Sequence, residues 1–246
     1  MEAEAVGADG TAATDMVRCW ESLDVIDLSH PLEEGMPTYP THAKFFQNRW
    51  VSMGDPALMN QLVLSEHTGT HVDAPSHFAA PGSATTSVDE IEIKQFAGRA
   101  RCLHVGPVTE ENWQLGADAI RGWEATHGRL APGDIVLLDF SWATRWALGP
   151  QGFEYLAGWP GLGRDGADLL VERSVRAVGT DCVGLDAGDG GGGLPAHYTL
   201  LPAGILIYEN LANLDQVGDE LFFVGIPLRV RGGTGCPVRA FGISAR

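Results

Sequence analysis

His67-Thr68-Gly69-Thr70-His71-Val72-Asp73-Ala74-Pro75-Ser76-His77 is the stretch on which the reading of this chain turns. Three of the chain's eight histidines fall within it, with a carboxylate between the second and the third. Imidazole and carboxylate are the nitrogen and oxygen ligands that a divalent transition metal takes. An enzyme working at neutral pH usually holds such an ion to make hydroxide from water or to polarise a carbonyl. The stretch therefore points to hydrolytic chemistry.

Spacing sharpens the expectation. In an extended chain alternate side chains share a face, so His71 and Asp73 can meet one ion from a strand. His67 cannot join them if the chain stays straight, because four extended residues span about 13 Å. The backbone must curl, and Gly69 is the residue that permits the bend and leaves room for an ion. Three protein ligands with an open position form the catalytic arrangement, whereas structural zinc sites are closed by four. His77 lies beyond Pro75, clear of the ion, and suits general acid or base work near neutrality.

Around the motif the pattern is that of a mixed α/β chain. Val25–Leu28, Gln61–Leu64, Asp134–Phe140, Val175–Asp186, Gly204–Tyr208, Leu221–Ile226 and 237–244 read as strands. Residues 116–127 suit an amphipathic helix closed by a left-handed Gly128, and Asp165 is placed to cap a helix running to Arg173. Segments 35–60 and 141–164 have no period and read as irregular, functional loops that carry specificity. Phe45, Phe46 and Trp50 in the first of them are expected to pack. His30, His42, His104 and His127 are isolated and read as structural or exposed. Residues 1–16 read as a disordered or weakly docked tail, and 17–246 as one domain.

Composition narrows the class. The 246 residues carry 16 basic and 32 acidic side chains, a net charge of −16, which argues against nucleic acid or an anionic membrane as partner. Four scattered cysteines without a CxxC pair fit a reducing cytoplasm rather than a disulfide framework. Neither a signal peptide nor an apolar run of membrane-spanning length is present, which also predicts a cytoplasmic protein.

The sequence His-Thr-Gly-Thr-His-Val-Asp-Ala-Pro-Ser-His resembles the HxGTHxDxPxH signature of the metal-dependent cyclase/hydrolase family, which includes bacterial kynurenine formamidases and isatin hydrolases. Further blocks carry the resemblance: Asp27–Leu32, Trp123–Gly128, Pro195–His197, Glu209–Leu214 and Gly235–Ala240, so that it spans roughly residues 24–244. It implies a swivelling β/β/α fold in a homodimer or homotetramer. It also implies a first metal site at His67, His71 and Asp73 and a catalytic His77. By the same resemblance a second ion would share Asp73 and add His197 and Glu209, as in the formamidases. Cys182–Gly188 and the Trp-Glu-x-x-His-Gly helix resemble isatin hydrolases, which bind one manganese and lack the glutamate. The cofactor implied is zinc or manganese, one or two ions per chain.

The expected reaction is hydrolysis of a small non-peptide amide, with His77 managing protons and an aryl formamide such as N-formylkynurenine as substrate. Isatin-like opening of a cyclic amide or lactone is the alternative, and a polyketide-type cyclase or ligand-binding role is a third. Tyr39 stands where the formamidases often place an aromatic against the substrate ring, and Phe78 is a candidate for the pocket wall. Other signals rank lower. Gly188–Gly193 satisfies GxGxxG after a strand, but Leu194-Pro195 follows instead of a helix, so it reads as a loop beside His197, a lid rather than a dinucleotide site. No GxSxG occurs, and Cys182 on an apolar strand reads as a buried inert thiol.

Overall fold

The computed structural model describes residues 11–51, 54–78, 85–188 and 193–245. It begins with helix α1 (Ala12–Ser22) and strand β1 (Leu23–Asp27), followed by a hairpin of β2 (Phe46–Arg49) and β3 (Asn60–Val63), and then β4 (His71–Asp73). Next come β5 (Ala97–His104), β6 (Gln114–Leu115), α2 (Ala117–His127) and β7 (Ile135–Asp139). They lead into β8 (Gly161–Leu162), α3 (Arg164–Glu172), β9 (Ala177–Thr180) and α4 (Pro195–Leu200). The chain closes with β10 (Leu206–Glu209), β11 (Glu220–Val224), β12 (Gly235–Pro237) and β13 (Phe241–Ala245).

Among the described residues nine strands form one sheet in the order β1-β13-β11-β5-β7-β9-β10-β4-β12. The central β5, β7, β9 and β10 are parallel and the flanking strands antiparallel. Buried on both faces, β7 is the continuous apolar run Ile135-Val136-Leu137-Leu138, as a covered parallel strand requires. Its side chains divide by parity. Val136 and Leu138 join Ile120, Leu170 and Leu200 under the helices, whereas Ile135 and Leu137 join Leu28, Val72 and Phe223 on the opposite face. The result is one mixed α/β domain, as expected, and none of its described helices is long and apolar enough to cross a membrane.

Several local expectations are corrected. Residues 12–16, read as a disordered or weakly docked tail, are the start of α1, which buries none of its residues and whose first turn is capped by the Thr11 hydroxyl; residues 1–10 lie outside the described residues. Phe46 and Trp50 do not pack. They are 49% and 60% exposed, because the β2–β3 hairpin belongs to a separate two-stranded sheet. Gln61–Val63 is a strand, as expected, and pairs with β2 in that hairpin. Asp165 lies inside α3 and caps a different helix: its Oδ2 accepts the N–H of Ala117 at 2.9 Å, the first residue of α2, where Gly116 has no side chain to offer. Gly128 ends α2 with φ +87 and ψ 151, positive but outside the left-handed helical well.

Candidate metal centre

The eleven-residue motif folds in two parts. Residues 67–70 turn, and residues 71–73 form β4. The turn is made at Gly69, with φ +60, where a Cβ would lie 2.5 Å from Leu32 Cδ2. On β4, Val72 enters the core while His71 and Asp73 share the opposite face, as their parity predicts. The neighbouring strands complete the site by register: Glu209 of β10 pairs with His71, and Gly235 of β12 pairs with Asp73. Gly235 has to lack a side chain, since a Cβ would meet His67 Cε1 at 2.5 Å. The site therefore lies at the carboxyl end of β10, the usual place for ligands in open α/β sheets.

His67, His71, Asp73, His197 and Glu209 converge there, each buried. Two groups of ligand atoms lie within 4.8 Å of one another: His67, His71 and Asp73 in one, Asp73, His197 and Glu209 in the other. The carboxylate of Asp73 belongs to both. Its Oδ1 is 2.6 Å from His67 Nδ1 and 3.3 Å from His71 Nε2, and its Oδ2 is 3.4 Å from His197 Nε2. Glu209 stands between the groups, 3.5 Å from His71 Nε2 and 3.2 Å from His197 Nε2.

Outer partners set which ring nitrogen faces inward. His71 Nδ1 donates to the Gly69 carbonyl at 2.8 Å, leaving Nε2 for a ligand bond. His197 Nδ1 donates to Asp186 Oδ2 at 2.6 Å, with the same consequence. Two buried atoms at the centre, His71 Nε2 and Asp73 Oδ2, have no hydrogen-bond partner among the described residues. Such atoms are costly unless something else bonds them. The nitrogen and oxygen donors, the fixed tautomers and these orphaned atoms together fit a divalent transition ion.

The electrostatics agree. Burial alone would push the Asp73 carboxyl up, but the imidazoles of His197, His67 and His71 close around it and hold it well below the usual range. Burial opposes the charged form of His197, yet Asp186, Asp73 and Glu209 pull its pKa well above normal. His71 is raised against burial by Asp73 and Glu209. The cluster thus attracts positive charge.

His77 stands outside both groups, with its ring stacked on His67 at 3.9 Å and 6.3 Å from that of His197. Burial lowers its pKa to about 4, so the ring is neutral. A cavity of about 280 Å³ opens on this centre, lined by Tyr39, Phe78 and Trp159 beside His67, His77, His197 and Glu209. Phe78 packs against His197 at 4.8 Å and also rests on the core, and Tyr39 meets Trp159 edge-on at 6.1 Å.

Three residues of the site escape sequence reasoning: Asp186, His42 and Trp159, the last of which lines the cavity. Asp186 sits in a block noted only for its resemblance, yet it orients His197 and accepts from the N–H groups of Ala196 and His197. His42, expected to be structural or exposed, lines the cavity with its ring 5.6 Å from His67. The remaining isolated histidines behave as expected. His30 stacks on Trp146, His104 pairs with Asp139, and His127 stacks on Trp123. Cys182 is fully buried, and burial pushes its thiol well above the ordinary value, so it is no nucleophile. Residues 189–192, the centre of the glycine-rich loop read as a lid, lie outside the described residues.

Comparison with known proteins leads to the same chemistry. Residues 26–187 match the family described as "Putative cyclase". The chain is 30% identical over 225 residues to kynurenine formamidase of Bacillus mycoides, covering 87% of this chain and 95% of that protein. It is 28% identical over 201 residues to isatin hydrolase of Roseibium aggregatum, covering 75% of this chain and 74% of that one. The solved structure of isatin hydrolase A from Labrenzia aggregata bound to benzyl benzoate superposes with a TM-score of 0.87 at 30% identity, over 96% of this chain and all of that one. Fold and site define a metal-dependent amidohydrolase. The chain belongs to the cyclase family.

Proposed function

We propose that this enzyme hydrolyses a small aryl amide, with N-formylkynurenine or a similar aryl formamide as substrate, and that it carries two ions per chain. The observation that carries this reading is the sharing of Asp73 between two complete three-residue ligand groups, the second closed by Glu209. The donors suit zinc and manganese alike. His67, His71 and Asp73 would hold one ion, and Asp73, His197 and Glu209 the other. When bound, the ions supply Lewis acidity, which acidifies water and polarises a carbonyl.

The chain's own residues do the rest. Asp186 and the Gly69 carbonyl keep His197 and His71 in the tautomers that face the centre. Tyr39, Phe78 and Trp159 take the aryl ring and exclude water around it. The neutral His77 accepts a proton from the attacking water and returns it to the nitrogen that leaves. Elemental analysis together with turnover of N-formylkynurenine and isatin tests the reading. Two ions and a preference for the formamide are expected. One ion per chain with isatin preferred would overturn it.

Isatin-like opening of a cyclic amide is the second reading, supported by the aromatic lining and the absence of Lys or Arg among the described residues that line the 280 Å³ cavity. For assembly we propose a homodimer or homotetramer. A two-stranded hairpin is marginal alone in water, and β2–β3 exposes Phe46, Trp50, Leu62 and Val63. Sedimentation should give a mass of at least two chains, and a monomer would remove this reading.

A further inference from the structure

A second and larger cavity, about 710 Å³, lies beside the metal cavity and shares Tyr39 and His42 with it. Its walls are mostly apolar: Met36, Pro37 and Phe45 are buried, Leu156 is half-buried, and Phe153 stands 68% exposed at the edge. Ligand cavities generally measure about 300–1,000 Å³. The metal cavity, at about 280 Å³, falls just short of that range, whereas its neighbour lies well within it. An independent observation marks the shared wall. His42 Nδ1 is buried without a hydrogen-bond partner among the described residues. Unlike the orphaned atoms of His71 and Asp73, it belongs to neither ligand group.

We propose that the two cavities form one substrate site, in which the second chamber takes an apolar substituent about the size of an aromatic ring. His42 meets a polar atom in the link between that substituent and the scissile amide. Preferred substrates are then amides extended on the non-reacting side by a polar link and a second apolar group. The inference rests on the amidohydrolase reading but not on the identity of the aryl formamide. Thr38 lines the second chamber and is absent from the lining of the first.

The test compares a compact aryl formamide with the same formamide carrying a benzyl amide substituent, using the metal-loaded enzyme. We expect kcat/KM to favour the extended substrate by about tenfold or more, mostly through KM, the scale on which apolar pockets discriminate. Thr38→Trp, which fills the chamber, should bring that ratio towards one, and His42→Ala should reduce it several-fold. Should T38W fail to fold, Phe153→Ala at the rim is expected to weaken the extended substrate selectively. Calorimetry with a non-hydrolysable benzyl-extended analogue gives a readout apart from turnover. Turnover of both substrates without preference would overturn the chamber and leave the amidohydrolase standing. If neither is turned over, calorimetry decides: binding that T38W or F153A weakens supports the chamber, and no binding overturns it.

Discussion

Asp186 fastens His197 from two directions, through the ring at Nδ1 and through the backbone of the first turn of α4. Removing such a partner typically costs about 10–100-fold in metal affinity. Asp186→Ala should lower affinity on that scale in competition with a chromophoric chelator. His77→Ala should retain its metal in the same titration and lose turnover by about a hundredfold to ten-thousandfold, the usual contribution of a positioned acid or base. Unchanged turnover would take His77 out of the mechanism. Gly69→Ala forces a side chain into a left-handed conformation against Leu32. A loss of about 1–2 kcal/mol or more in thermal or denaturant unfolding is expected. At this scale His67, His71, Asp73 and His77 were legible because their chemistry is written locally, in residue type and spacing. Glu209 and His197 were reachable only through resemblance, since Glu209 meets β4 through sheet register and His197 comes from α4. Asp186 and His42 carried no local pattern. His42 looks isolated along the chain because its partner in space, His67, comes after the whole β2–β3 hairpin.

Elements depend on a few polar contacts that tie one to another. Glu124 of α2 accepts two bonds from Arg173 at the end of α3, at 2.8 and 2.9 Å, with both side chains almost fully buried. Arg173 also donates to Glu172 at 2.7 Å, so Glu124→Gln leaves the guanidinium with one carboxylate, and a loss of about 1.5–3 kcal/mol in urea unfolding is expected. The pair also has a pH signature. The Arg173 hydrogen bonds hold the Glu124 carboxyl below its ordinary value. Its stabilisation is therefore complete above the unfolded carboxylate range, near about pH 4.3, and is lost as pH falls through the lower folded value. The acid limb of the unfolding profile should flatten in E124Q. The strand and helix expectations over 116–140 and 204–226 match because apolar periodicity is a local signal. Of the hairpin at 46–63 only β3 is legible; β2 and its pairing are not, because the strand is exposed on both faces, a pattern that alternation cannot register.

At the scale of the molecule, metal binding couples to the fold. A ligand that binds only the native state stabilises it by about 2.7 kcal/mol at a hundred times its dissociation constant. Stripping the protein with a chelator should lower its melting temperature, and restoring zinc or manganese should return it. An unchanged melting curve would mean that no ion is held by the folded state. The fold class was legible from the mixture of apolar strand runs with helical periodicity. The order of the sheet was not, because β4 pairs only with strands that come far later in the chain. That pairing has a consequence for biosynthesis. The histidine motif leaves the ribosome with no strand beside it, and its described neighbours, β10 and β12, are made long after it. The second ligand group is therefore complete only once β10 has been made, and a nascent chain halted before Leu206 would display the motif without Glu209 and without the strands that frame it.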